Sequence, residues 1–309
     1  MTMTKTSTTN TPPKVIDPIA HRHNRDRAAA NFGQVNYIKD AVVERLVDRL
    51  EVMRQRFPLV LDMGAHHGEV GKAFLATGKV DKLISMDPSP AMAQQMDKGL
   101  SPLVMDYENS HFAEAAFDAV VSGFSLHWVN DLPGLLLRMR RWLKPDGLLL
   151  IAMAGGASLS GLRSCLAEAE SRTAGGLSPR VLPMGDIRDL GGLLGRAGFA
   201  LPVADSDTLT ITWDNPLQMM RELRQMGEAN AIDGRIKHFT RKETIMQAAS
   251  LYQQRYGSDY GRVSAEIEII TLTSWTPSPA QQKPLKPGSA QHNLADFLTT
   301  GHDNENNKT

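Results

Sequence analysis

Three acidic residues stand where three separate apolar runs end: Asp62 after 57-FPLVL-61, Asp87 after 82-KLISM-86 and Asp106 after 102-PLVM-105. The first opens 62-DMGAHHG-68, in which Asp62, Gly64 and Gly68 fall in the order D-x-G-x-H-x-G, with His66 where a further glycine would complete the pattern. A glycine turn between a strand and a helix holds a pyrophosphate when it is spaced G-x-G-x-x-G, because helix-end amides and close backbone approach serve the phosphates. The spacing here is different and is headed by an acid. A carboxylate in that place suits a ligand that carries an amino group and no phosphate.

S-adenosylmethionine has that chemistry. Asp87 lies 25 residues beyond Asp62, near the offset of about 20 at which an acid in an open α/β sheet accepts both ribose hydroxyls. Asp106, at the third strand end, is placed to accept from an adenine amine. One aspartate after a strand is common, since Asp favours turns; three in succession argue for one ligand lying across three strand ends. The expected cofactor-binding set is therefore Asp62, Gly64, His66, Gly68, Asp87 and Asp106. On this reading Asp87→Ala weakens the cofactor and leaves the fold intact.

His66 departs from glycine, yet histidine enters the left-handed backbone region more readily than most residues, so the turn survives. Its ring is expected either in solvent or towards the methionine end of the ligand. Two adjacent histidines, His66 and His67, raise the question of an iron site of two histidines and a carboxylate. Neighbouring residues point in different directions, and no His-x-Asp or Glu-x-x-His motif supplies the rest, so no metal is expected. The loop 124-FSLHWVND-131 follows the fourth strand, at the edge where doubly wound sheets bind ligands. His127 and Trp128 are accordingly the candidate catalytic residues, as walls of the reaction site; packing against the adenine-side helix is the alternative role for Trp128.

The elements that position these residues follow from the pattern around them. Strand-like runs at 58–63, 82–87, 102–106, 117–123 and 147–153 alternate with helical segments, of which 131-DLPGLLLRMRRWLK-144 is the clearest. Such alternation gives a parallel sheet covered on both faces. Two later alternating runs, 208-TLTITW-213 and 265-AEIEIITLTSW-275, finish it as an edge pair. The expected class is α/β, a doubly wound, mostly parallel seven-stranded sheet. Residues 1–20 read as a disordered tail, 21–56 as an N-terminal helical segment, 57–278 as the ligand-binding domain with a helical insertion at about 214–257 forming a lid, and 279–309 as an extended tail.

At 309 residues, 22% charged, 41% hydrophobic and with zero formal net charge, the chain suits a soluble globular protein and does not suggest nucleic acid as a partner. Its one cysteine, Cys165, excludes a disulfide framework and a cysteine metal site. No signal-like leader and no run near the roughly 20 apolar residues of a membrane span is read, so the cytoplasm is the expected compartment.

The segment 117-FDAVVSGFSLHWVNDLPGLLLRMRRWLKPDGLLLIAM-153 resembles the strand-four to strand-five region of class I methyltransferases. With 162-LRSCLAEAE-170, 175-GGLSPR-180, 184-MGDIRDLGGLLGRAGF-199 and 281-QQKPLKPGSA-290, the chain from about 21 to 290 is similar to the bacterial relatives of the mitochondrial complex I assembly factor 5 family. That resemblance implies an S-adenosylmethionine-binding enzyme on a Rossmann-like methyltransferase fold that hydroxylates an arginine in a subunit of the respiratory NADH dehydrogenase. The fold by itself implies methyl transfer. A small-molecule methyltransferase and a non-catalytic assembly factor are the readings that remain beside it.

Overall fold

In the computed structural model of the chain, which describes residues 14–258 and 260–281, the backbone alternates as the sequence pattern predicts. Helices α1 (Pro18–Ala28) and α2 (Tyr37–Val52) precede β1 (Phe57–Met63), α3 (Glu69–Ala76), β2 (Val80–Asp87), α4 (Pro90–Gln95) and β3 (Pro102–Val104). Then come β4 (Phe117–Gly123), α5 (Leu132–Trp142), β5 (Leu143–Ala154), α6 (Ser160–Ala174) and α7 (Ile187–Arg196). The last elements are β6 (Ala200–Trp213), α8 (Pro216–Gln225), α9 (Lys242–Tyr256) and β7 (Val263–Trp275).

One seven-stranded sheet has the order β3-β2-β1-β4-β5-β7-β6. Its first five strands are parallel; β7 enters antiparallel between β5 and β6, with Ile151 opposite Leu272. The strand order reverses between β1 and β4, whose carboxyl ends therefore bound a crevice. The inner strands are apolar on both sides because both faces are covered: Val60, Val121 and Leu150 face α2 and α3, whereas Leu61, Val120 and Leu149 belong to the core under α5 and α7.

Local chemistry sets the helix ends near the crevice. Asp17 caps α1 through Ile19 and Ala20 N–H, with Pro18 at the first helical position. Asp131 caps α5 through the Gly134 N–H in the same way. Helix α1 thus starts inside the stretch assigned to a disordered tail, and the assignment of 1–20 needs correction for residues 14–20. The reason is burial: Ile16 is covered and bridges to Ile232 of the insertion, while the Asp17 carboxylate pairs with Arg235. The stretch 14-KVIDPIA-20 is too short to carry a periodic signal for such a contact. Residues 1–13 and 282–309, with most of the tail motif, lie outside the described residues.

Strand β6 begins at Ala200, earlier than the alternation at 208–213 indicates. Its first half holds Pro202 and a register shift against β7, the feature that lets proline sit on an edge. This edge is blunted by charge: Asp205 and Asp207 pair with Arg49 and Arg45 of α2. The insertion between β6 and β7 contains α8 and α9, as its helical pattern predicts. Among the described residues, no helix is long and apolar enough to cross a membrane.

Candidate cofactor site and the cavity beside it

The turn from β1 into α3 lies at the crevice. Gly64 has φ +77°, and a Cβ there would stand 2.2 Å from the Ser125 Cβ, so the position needs glycine both for its backbone and for its space. Gly68 caps α3 with φ +88°. His66 also adopts the left-handed conformation, at φ +56°.

The ring of His66 goes neither to solvent nor into an open ligand space. It is 3% exposed and stacks on Phe32 of the N-terminal segment, with centroids 4.8 Å apart and planes at 18°. Its Nδ1 lies 2.9 Å from the Gly64 carbonyl oxygen and so donates to it. Burial and the nearby Arg25 and Lys39 charges hold the imidazole well below its usual range, and it is neutral at physiological pH. His67 meets the edge of the same Phe32 ring. The residue thus fastens the N-terminal segment to the loop. His66→Gly relieves a left-handed side chain at about 1 kcal/mol and loses an aromatic stack at about 0.5–1.5 kcal/mol. Thermal melting should therefore show a net change within about 1 kcal/mol, with cofactor affinity by calorimetry little altered; loss of binding would make His66 itself a ligand contact.

Asp62 is fully buried, and neither carboxylate oxygen has a hydrogen-bond partner among the described residues. Burial pushes its carboxyl up to about 7, against the attraction of Lys39. Lys39 of α2, also buried, donates Nζ to the carbonyl oxygens of Gly64, at 3.3 Å, and Gly123. A buried carboxylate with every acceptor free, beside a turn closed to side chains, fits an incoming ammonium group. Because that ammonium needs the ionised acid, cofactor affinity should rise with pH up to about 7 and level off above it. Calorimetry should find binding weaker by up to about tenfold at pH 6 than at pH 8, with proton release; pH-independent affinity would count against Asp62 as the receptor.

Asp87 is placed at the end of β2 as expected, but its carboxylate is engaged. Arg25 of α1 donates Nε to Oδ1 at 3.2 Å and Nη2 to Oδ2 within the protein interior. The backbone N–H groups of His66, at 3.0 Å, and Ser89, at 2.9 Å, donate to the same acid. Ribose hydroxyls at Asp87 would compete with Arg25, whose Nη1 is buried and has no hydrogen-bond partner among the described residues. Asp106, past the end of β3, is part-buried. Its Oδ1 accepts from the N–H groups of Glu108 and Asn109 in a turn, so its adenine role would fall to Oδ2.

His127 and Trp128 form a short 3-10 turn after β4 and line a cavity of about 350 Å³. Both are buried. Trp128 Nε1 donates to Glu228 Oε2 at 2.7 Å, His127 Nε2 lies 3.3 Å from the same oxygen, and the Trp128 indole stacks on His21 of α1 at 5.0 Å. The cavity lies between this turn, the start of α6 and the insertion; its wall includes Leu162, Met220 and Leu223. Asp62, Gly64, His66, Gly68 and Asp87 thus gather at the carboxyl ends of β1 and β2, Asp106 lies past β3, and His127 and Trp128 line the cavity after β4, whose wall also includes Phe124. Sequence reasoning missed Arg25, Lys39 and Glu228. Nothing in the local pattern distinguishes an inward Arg25 from its exposed neighbours Arg22 and Arg27. Glu228 follows Gly227, which ends the turn after α8 at φ +88°, and only that glycine hints that the chain bends back towards the sheet. Among the described residues, no group of three His, Cys, Asp or Glu side chains is arranged to hold a metal.

Comparison with known proteins gives the family. A family model described as a methyltransferase domain matches residues 61–151, from β1 through β5. The zebrafish (Danio rerio) protein named arginine-hydroxylase NDUFAF5, mitochondrial, is 35% identical over 292 residues, covering 93% of this chain and 90% of its own. The human protein of the same name is 36% identical over 258 residues, covering 82% and 74%. A crystal structure of a methyltransferase-like protein from Bacillus halodurans superposes with a TM-score of 0.54 over 76% of this chain and 99% of its own, at 16% identity, and shares the fold. With relatives of this similarity spanning most of both chains, the chain belongs to the NDUFAF5 arginine-hydroxylase family within the class I methyltransferase superfamily, and S-adenosylmethionine is its cofactor.

Proposed function

We propose that this chain is an S-adenosylmethionine-dependent enzyme that modifies an arginine in a subunit of the respiratory NADH dehydrogenase during assembly of that complex, and that it does so from the cytoplasm. The observation that carries the reading is the near full-length similarity to proteins named arginine-hydroxylase. Beside it stands a site whose parts suit a small cofactor and a separate side-chain substrate.

In this reading Asp62 receives the cofactor ammonium, Gly64 and Gly68 let the backbone approach it, and Asp87 and Asp106 take the ribose and adenine ends. When bound, S-adenosylmethionine supplies a sulfonium centre with an electrophilic methyl group. His127 and Trp128 bound the space in which the target side chain lies, and the insertion over that space limits water. Hydroxylation replaces one C–H bond by C–O–H, a two-electron oxidation. With dioxygen as oxidant, the second oxygen atom leaves as water, and a reductant supplies two electrons and two protons. The second reading is methyl transfer to the guanidinium, favoured by the methyltransferase domain at residues 61–151. There a guanidinium nitrogen gains a methyl group and loses a proton, and alignment carries most of the rate.

Deleting the gene should deplete assembled NADH dehydrogenase, and a subunit arginine modified in normal cells should be unmodified in the deletion strain. Added oxygen and added methyl differ by about two mass units, and only the methyl carries label from labelled methionine. Normal assembly with no changed arginine would remove the proposal in favour of a small-molecule methyltransferase or an assembly factor without catalysis. Fractionation of the same cells tests the compartment.

A further inference from the structure

We infer that the cavity beside the glycine loop is a receptor for one cationic side chain, with Glu228 as the carboxylate that takes its charge. The inference deepens the arginine reading given above and rests on it.

Glu228 is the acid on which the cavity closes. Its side chain is 15% exposed, and it follows α8 into the space between the insertion and the sheet. Both of its hydrogen bonds, from Trp128 and His127, fall on Oε2, and Oε1 takes no protein hydrogen bond. Burial by itself would raise the carboxyl, but the bonds from His127 and Trp128 and the charge of Arg25 hold it below the usual range, so it is ionised at neutral pH. Among the described residues no lysine or arginine makes an ion pair with it, and its one charged-type partner is the His127 ring.

The remaining wall suits the stem of a long side chain. Ile38, Leu159, Leu162, Met220 and Leu223 are apolar and line the path to the acid. A chain of methylenes ended by a cation matches that distribution, because the stem buries apolar surface while the head finds a carboxylate. A neutral or anionic head would leave Oε1 desolvated and unpaired.

Three arginines also line the cavity, and they do not reverse this sign. Arg180 donates to both oxygens of Glu170 at 3.1 and 2.6 Å, and Arg235 pairs with Asp17 at 3.0 Å, so two of the charges are matched. Arg224 is exposed, where water screens it. Glu228 is the charge in this wall that no lysine or arginine of the described residues pairs with.

Placement favours chemistry as well as capture. His127 and Trp128 belong to the loop whose Ser125 touches the Gly64 carbonyl at 3.0 Å, so a head group on Glu228 lies next to the compartment that would hold the cofactor. Glu228 is on this reasoning a specificity-determining residue.

The test uses the purified full chain, saturated with S-adenosylmethionine, and two probes: Nα-acetyl-arginine methylamide and its neutral citrulline counterpart. By ligand-observed NMR titration the arginine probe should bind at least about tenfold tighter than the citrulline probe. Glu228→Gln keeps an acceptor for Trp128 and should lose that preference, with a lowered melting temperature because the ionised carboxylate stabilises the fold, and with cofactor affinity unchanged, whereas Glu228→Asp should keep part of the preference. If Glu228→Gln does not fold, Met220→Lys, which puts a cation in the wall, should likewise block the arginine probe. Equal or absent binding of the two probes to the wild type, or a preference that survives both variants, overturns the inference. A Glu228→Gln strain that modifies the subunit arginine like the wild type also overturns it while leaving the proposed function standing; an unmodified arginine in wild-type cells removes the function itself.

Discussion

Asp62→Asn should make the cofactor-free chain more stable and at the same time weaken cofactor binding on the order of a hundredfold. The stability side follows from the buried carboxylate with no hydrogen bond. Its carboxyl, at about 3.8 when exposed, rises to about 7 in the fold. As pH increases through that window the unfolded chain gives up its proton first, so the folded chain holds more protons and stability falls; above about 7 the loss is complete and constant. Asparagine removes the ionised form, a gain of about 2–4 kcal/mol at pH 8 and much less at pH 5. The binding side follows from two charge-assisted hydrogen bonds to an ammonium, each worth about 1.5–3 kcal/mol. Denaturant melts at both pH values and a calorimetric titration check the two halves. A variant that is less stable than wild type at pH 8 would mean that attraction to Lys39 outweighs the burial cost.

Asp87→Ala should destabilise the fold by about 3–5 kcal/mol, because it strands the Arg25 guanidinium, 1% exposed, without its counter-charge. This replaces the sequence-level expectation that the fold survives the change. Adding Arg25→Met should recover much of the stability, since no charge then remains buried, and should not recover cofactor affinity. Denaturation midpoints of the two single variants and the double variant give the coupling directly. An Asp87→Ala protein as stable as wild type would mean that Arg25 moves out to water at little cost.

These two residues also mark how far the sequence could be read. The strand ends at Asp62 and Asp87 and the glycine turn were legible, because strand periodicity and turn chemistry are local, whereas β3 stops at Val104 and leaves Asp106 in the turn beyond it. The mostly parallel class of the sheet and its late edge pair, β6 and β7, followed from alternation. What was not legible is long-range: Arg25 reaches Asp87 across 62 positions, and Glu228 meets Trp128 across 100. Polar residues on a helix or loop have no periodic mark that separates an inward one from an outward one. The helix start at Pro18 was hidden for the same reason, its partners being Ile232 and Arg235. His66 was recognised as a left-handed residue, yet its destination depended on Phe32, a residue placed by the whole N-terminal segment.

The central claim is that the cofactor compartment headed by Asp62 drives modification of a protein arginine. It is tested most directly by peptide mass analysis of NADH dehydrogenase subunits from a deletion strain carrying either the wild-type gene or Asp62→Asn, expressed at equal levels. The prediction is an arginine peptide with one added oxygen in the wild-type strain and the same peptide unmodified with Asp62→Asn. Equal modification in both strains, with Asp62→Asn protein folded and unable to bind S-adenosylmethionine, would contradict the claim.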